Sequence, residues 1–330
     1  MALGLNNTIV ANDIYHIQMF KDLKVFLLVG GNNDKVVIKT DAIHAPQIRS
    51  ANPIIKAIAP SAKLKILTDT ELAALKSFIA TYEHLEQAYH EWGMTYKPDE
   101  APAVQSLKQS LGFGFPFVKM EAVNVTDLTG ALEDRLTGDK SDLRSFTATL
   151  NASGGLEMLG KIIAVDMFNG NTDRFYPGSA STKTIGGVDF SLKCLVNVGN
   201  VFHVKTAAGS EVGALDFVDP SSNFKNINQS LSDIEEPGDP DTIWPARILV
   251  DKSKRKDFAK DVVHDLEKIL NPHKSKFSLK TKLKFGATDR IITGMVQGAQ
   301  MIKTKLEQKY GPNRWTPGIR ERYDIIRQVR

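Results

Sequence analysis

Apolar and polar positions along residues 24–39, KVFLLVGGNNDKVVIK, fall into two short apolar runs around a polar turn. Val25–Val29 and Val36–Ile38 flank Gly30-Gly31-Asn32-Asn33-Asp34, residues that accept positive φ. The pattern predicts two strands joined by a turn, with Lys39 closing the second. Lys63–Leu67 alternates like a further strand, and Phe115–Val123 reads as a buried strand running into a linker. Thr68-x-x-Glu71 is a capping-box pattern that opens a long helix to about Trp92. Residues 41–59 are expected to be helical, broken or begun near Pro46 and Pro53. Residues 93–111, with Pro98 and Pro102, are expected to be a connection, and Leu128–Leu136 a short helix. Arg144–Leu150 fits either a helix or a strand.

The strongest helical period lies in LGKIIAVDMFNGNTDRF, residues 159–175. Leu156, Leu159, Ile162, Ile163 and Phe168 share a face, Ser153 is the expected N-cap, and Asn169-Gly170-Asn171 ends the helix. Asp173 and Arg174 follow in the loop. A buried helix that ends in a polar loop holds a carboxylate in place. Tyr176–Gly187 reads as a loop. Cys194–Val204 and Val212–Val218 read as strands around a turn at Thr206–Ser210. A polar segment follows to Asp241, and then helices at Lys256–Leu270, Thr288–Tyr310 and Ile319–Val329. The order predicts an α+β, bilobal chain. Its β-rich first lobe spans 1–123 and its mainly helical second lobe spans 124–330, with a helical tail at 256–330.

Composition narrows the classes. Hydrophobic residues make up 42% and charged residues 24%, ordinary for a globular chain. No apolar run approaches the ~20 residues of a membrane helix. MALGLNNTIVANDIYH lacks the basic start and apolar stretch of a secretory signal. The single cysteine, Cys194, allows neither an internal disulfide nor a thiolate metal cage, so a reducing compartment is expected. That compartment is the cytoplasm, or a host cytoplasm for a delivered effector. The net charge of +4 is too mild to call for nucleic acid. Lysines from 252 to 284 form a basic zone that is either a solvated face or a contact for an acidic partner. Its few aromatic residues argue against single-stranded nucleic acid. The seven histidines show no paired metal spacing, and alternation turns His203 outward.

A constellation remains. Lys39 lies on a strand after a glycine turn, a strand ends in MEAV, Asp173 follows a buried helix, and Asn200 and Asp216 lie on a hairpin. Phosphoryl transfer needs such an inventory: a lysine for the phosphates, a carboxylate for the hydroxyl, an amide and a carboxylate for magnesium. Mg²⁺ keeps several waters, so two protein ligands suffice. The segments LGKIIAVDMFNGNTDRF, NVGNVFHV and ALDFVDP resemble the atypical protein-kinase group that contains the actin-fragmin kinase catalytic domain. More distantly they are similar to HipA-like kinases and secretory-pathway casein kinases. The resemblance covers roughly residues 24–220.

The resemblance implies a protein-kinase-like fold and an enzyme using ATP and Mg²⁺ on a protein hydroxyl. It implies Asp173 as catalytic base in the loop 169–175, and Asp216 and Asn200 as metal ligands in the hairpin 194–219. It implies Lys39 on the α/β-phosphates under Gly30 and Gly31, and a hinge at 120–123 whose Glu121 and Val123 backbones face adenine. Asn197 competes with Asn200, and Asp219 with Asp216. Asp166 is placed to orient the loop from behind, and Arg174 either pairs with a carboxylate or phosphate or is exposed.

The chain departs from the family in three places. Asp216-Phe217-Val218 lacks the glycine of DFG. Twenty-six residues lie between Asp173 and Asn200, so an insertion must fold away. The segment after Lys39 offers no glutamate to pair with it, and the capping box already explains Glu71. An activating partner, from a host if the chain is an effector, would answer the last point. Transfer of AMP on the same scaffold and a binding module without turnover are the other function classes. The substrate is not legible, and actin is a first trial.

Overall fold

The computed structural model describes residues 3–19, 25–40, 64–114, 117–121, 125–137, 141–169, 174–178, 180–206, 209–213, 240–271, 283–310 and 317–330. The expected helix at 41–59 and the polar segment before 240 lie outside them. The fold is mixed α+β, and the chain divides into two compact units. One is built from residues 1–48 and 62–123, the other chiefly from 124–330.

The first unit is organised on a five-stranded antiparallel sheet of order β1-β2-β3-β5-β4. Its strands are β1 (Ile14–Met19), β2 (Val25–Gly30), β3 (Lys35–Thr40), β4 (Leu64–Ile66) and β5 (Phe117–Glu121). Helices α1 (Asp69–Glu91) and α2 (Ala101–Gly112) supply the apolar layer. Phe26, Leu28, Val36 and Ile38 alternate onto one face and meet Leu75, Phe78 and Leu107 in a single core. The other face carries Val25, Leu27, Val37 and Lys39, all half-buried.

The capping box of α1 forms as expected. Thr68 Oγ1 accepts from Glu71 N at 3.3 Å, and Glu71 Oε2 accepts from Thr68 N at 3.0 Å. Helix α2 corrects the expected connection. Pro102 sits in its first turn, where a missing N–H costs nothing.

The second unit is mainly helical. Its helices are α3 (Leu128–Thr137), α4 (Ser141–Asn151), α5 (Gly155–Asn169), α6 (Pro240–Val250), α7 (Lys252–Leu270), α8 (Ala287–Tyr310) and α9 (Pro317–Ile326). A three-stranded sheet has the order β10-β9-β6, from β6 (Val125–Asp127), β9 (Phe202–Thr206) and β10 (Gly209–Gly213). A separate hairpin pairs β7 (Ser181–Ile185) with β8 (Val188–Leu192). It replaces part of the expected loop at 176–187. Its turn, Gly186-Gly187, has φ of 54° and 78°, the doubly positive turn that matches strand twist. The expected strand from Cys194 is shorter, because 198–200 form a 3₁₀ turn before β9. Helix α6 was not foreseen, since Pro245 inside it reads as a breaker.

Helix α5 is the centre of this unit. All five of its expected core positions are buried, and it begins at Gly155, whose preceding carbonyl at Gly154 accepts from Met158 N at 2.8 Å. The cap position therefore falls to Gly154 rather than Ser153. Helix α5 lies against α8 with backbones touching. A Cβ on Gly294 would collide with the carbonyl of Glu157, and one on Gly160 with that of Ile291. A Cβ on Gly298 would stand 2.7 Å from Ala164 Cβ. Arg290 fastens the crossing, giving Nε to Glu157 Oε1 at 2.9 Å and Nη2 to Oε2 at 2.8 Å. Gly→Ala in an exposed helix gains about 1 kcal/mol from propensity. At Gly294 the sign reverses: Gly294→Ala should cost about 3 kcal/mol, because a backbone atom cannot turn away. Urea unfolding checks this, and an unchanged or raised midpoint would contradict the close approach.

Candidate functional site

In the first unit the hairpin separates residues expected to work together. Lys39 pairs with Val25 and with Val118, at the end of the β2–β3 hairpin away from its turn. Gly30 is five residues on from Val25, the partner of Lys39, or about 17 Å along the strand, and Gly31 follows it in the turn. Gly30 N donates to Asp34 O at 2.8 Å, and Asn33 takes the positive φ of 62°. The glycines therefore shape a tight turn and do not cover Lys39. Residues 20–24, between β1 and β2, and 41–63, after β3, lie outside the described residues. Glu121 closes β5 opposite Val36. Val123 lies outside the described residues, and the two compact units divide after it.

Glu71 does more than cap its helix. It is 2% exposed, and its Oε1 accepts from Lys119 Nζ at 2.5 Å and from Ile9 N at 3.1 Å. Lys119 also donates to Asn7 O at 2.8 Å. Lys119 is opposite Ile38, so it faces the helices, while Lys39 projects from the other face. Burial alone would raise the Glu71 carboxyl. The hydrogen bonds from Lys119, Thr68 and Ile9 together outweigh it and leave the group below the usual carboxylate range. A lowered carboxyl stabilises the fold above its unfolded pKa, and that contribution is lost as pH falls through the folded value. Wild-type stability should therefore decline on the acid side, below about pH 5. Glu71→Gln should be less stable at neutral pH and converge with wild type in acid. Parallel urea curves would contradict the assignment.

In the second unit the local structure gathers the loop after α5. Residues 170–173, including Asp173, lie outside the described residues, but both flanks are held. Asp166, in the last turn of α5, and Arg174, just after Asp173, are each fully buried and paired at 2.6 Å, Arg174 Nη1 to Asp166 Oδ2. Arg174 is thus neither exposed nor offered to a phosphate. Behind it, Val196 N and Asn197 N donate to Arg174 O at 3.1 and 3.5 Å, Phe175 bridges Leu195, and Tyr176 N donates to Cys194 O at 2.8 Å. The β7–β8 hairpin, Ser181–Leu192, folds away twelve of the twenty-six residues between Asp173 and Asn200. It leaves from Tyr176 and returns to Cys194, so Asn197 arrives beside Arg174. That contact is made by the Asn197 backbone; Asn200 stands at the far end of the 3₁₀ turn.

Asp265 holds the returning strand in place. This fully buried carboxylate of α7 accepts from Lys193 N, Cys194 N and Leu195 N at 2.8–2.9 Å. Sequence reading passed over it. Its signal was a charge set on the apolar stripe of Phe258, Val262, Leu266 and Ile269. Cys194 is buried beside it. Burial first, and Asp265 next, push its thiol up, so it is no nucleophile.

Further along, β10 ends at Gly213 opposite Phe202, two residues from Asn200. Asp216 and Asp219 lie beyond it, outside the described residues. His203, expected to face outward, is 1% exposed and meets Phe146 edge-on at 6.2 Å. It pairs with buried Val212, so the sheet's inner face here is the one with the histidine. Among the described residues no cluster of three or more His, Cys, Asp or Glu could hold a metal. No helix among them is long and apolar enough to cross a membrane. The basic zone is split: Lys252, Lys254 and Lys256 are exposed, but Arg255 turns inward to the carbonyls of Leu249 and Arg330. Comparison with protein-family models, curated proteins and solved structures finds no match for this chain.

Proposed function

We propose that the chain is an ATP- and Mg²⁺-dependent phosphotransferase of an atypical protein-kinase class, acting on a protein hydroxyl. The observation that carries this reading is the return of the chain to Arg174 after the β7–β8 hairpin. It brings the backbone of Val196 and Asn197 to Arg174, the residue that follows Asp173 in the sequence, as a catalytic-loop aspartate and an asparagine partner far along the chain would require. A β-rich unit with a strand lysine and a mainly helical unit with the loop also suit a bilobal kinase-like fold. In protein kinases the phosphate-holding lysine is on the third strand, and Lys39 is on β3. Asp173 would orient the hydroxyl, Asp216 with Asn197 or Asn200 would hold magnesium, and Lys39 would hold the α/β-phosphates. A bound metal would supply charge neutralisation for the phosphates.

A binding module without turnover is the second reading. It is favoured by Glu71, which is engaged by Lys119 on the opposite face from Lys39. Radiolabelled ATP, incubated with the protein and with host-cell extract, separates the two. Transfer of the γ-label to protein, lost in Asp173→Asn, supports the phosphotransferase. Label transferred only from the α-position indicates AMP transfer, and absence of any turnover with extract leaves the binding module.

A further inference from the structure

The first unit carries a joined row of aromatic rings, exposed at Trp92 and Tyr15, half-buried at Tyr89 and Tyr96 and buried at Tyr82. Helix α1 ends at Glu91, and Gly93, with φ of 72°, folds the chain back so that Met94 N donates to Tyr89 O at 2.9 Å. The fold-back stacks Trp92 on Tyr89 with centroids 6.0 Å apart, Tyr89 on Tyr96 at 5.1 Å and Tyr96 on Tyr82 at 5.2 Å. Lys97 Nζ extends the row, 5.8 Å from the Tyr96 ring and 5.0 Å from Tyr15 on β1. Trp92 is 71% exposed, Tyr15 69% and Met94 50%. Single exposed hydrophobic residues are ordinary, but a joined row marks a contact surface.

The ledge is rigid. Tyr82 Oη donates to the carbonyls of Tyr96 and Lys97 at 3.1 and 2.9 Å. Lys97, held at a φ of 38°, is tied through Nζ to Tyr15 O at 2.5 Å and to buried Glu100 at 3.0 Å. A non-glycine residue persists at such a φ only where its surroundings hold it.

Its charge is opposite to that of the whole chain. Of the five carboxylates between 83 and 100, Glu83 pairs with Lys108 and buried Glu100 with Lys97 and His16, which leaves Glu86, Glu91 and Asp99 to set the sign, although the chain carries +4. The Tyr82 hydroxyl is pushed up to about 12, by burial first and then by Glu86 and Glu100. Glu91 and Asp99 are exposed. Aromatic faces and carboxylates attract the same kind of group, a cation with an apolar stem. Lys97, lying between Tyr96 and Tyr15, shows the mode within the molecule.

We propose that the ledge of Trp92, Tyr89, Tyr96 and Tyr15 docks a basic segment of a partner protein, whose lysine or arginine side chains lie on the rings. The sign of the charge turns away nucleic acid and anionic lipid. The proposal is independent of phosphotransfer.

Anisotropy of a labelled arginine-alanine dodecapeptide, titrated with the full chain in about 50 mM salt, tests it. Saturable binding is expected, weakened about tenfold by Trp92→Ala and by Glu91→Lys with Asp99→Lys. A glutamate-alanine peptide and phosphatidylserine vesicles should not bind. Exposed positions were chosen so that circular dichroism stays unchanged. The proposal is overturned by absence of binding, by equal binding of Trp92→Ala, or by preference for the acidic peptide or the vesicles. Loss in the charge reversal alone also overturns it, since plain electrostatics would then suffice.

Discussion

Asp173→Asn is expected to lower phosphoryl transfer about a thousandfold while leaving the unfolding midpoint unchanged. The amide keeps the shape of the side chain but cannot accept the proton of the attacking hydroxyl. The residue lies in a loop whose flanks are fixed independently, by the Asp166–Arg174 pair and by the bonds from 194–197 to 174–176. The substitution should therefore act on the reaction and not on the fold. Binding of ATP should change little, because Lys39 and the metal ligands would carry it. Single-turnover kinetics with labelled ATP separate these effects. Full activity in the variant would refute Asp173 as the base.

Arg174→Met should destabilise the chain by about 3–5 kcal/mol, the usual cost of stranding a buried charge. Both partners are fully buried, so Asp166 would lose the cation that faces it in the interior. Asp166→Leu should cost a similar amount for the converse reason. The double variant, Asp166→Leu with Arg174→Met, should recover much of the loss, because apolar side chains of similar volume often replace a buried pair at little cost. Urea unfolding of the four proteins closes the cycle. Strict additivity would show that the pair is not the anchor. The double variant, stable but with its loop unpinned, should also lose turnover, which distinguishes positioning from folding.

Much of the fold was legible where a signal is local. Thr68-x-x-Glu71 marked the start of α1 because a cap and its box are four residues long. The stripe from Leu156 to Phe168 marked α5 because burial of one face imposes its own period. Where local signals conflict, reading failed. Pro102 looked like a connection and is the first turn of α2. Tyr176–Gly187 looked like a loop, although Gly186-Gly187 between short alternating runs is a hairpin signal. His203 was turned the wrong way because alternation gives two faces without saying which is inside.

The site divides along the same line. The kinds of residue, their order along the chain, the helix that leads to Asp173 and the turn chemistry of 30–34 follow from the amino acids in their local setting. Their partners do not. Tertiary folding alone assigned Glu71 to Lys119, Arg174 to Asp166, and Asp265 to the backbone of 193–195, and it set Gly30 and Gly31 apart from Lys39. Caps and periodicity act within a few residues. A buried charge takes whichever counter-charge or N–H the packing delivers, and for Asp265 that donor is about seventy residues away.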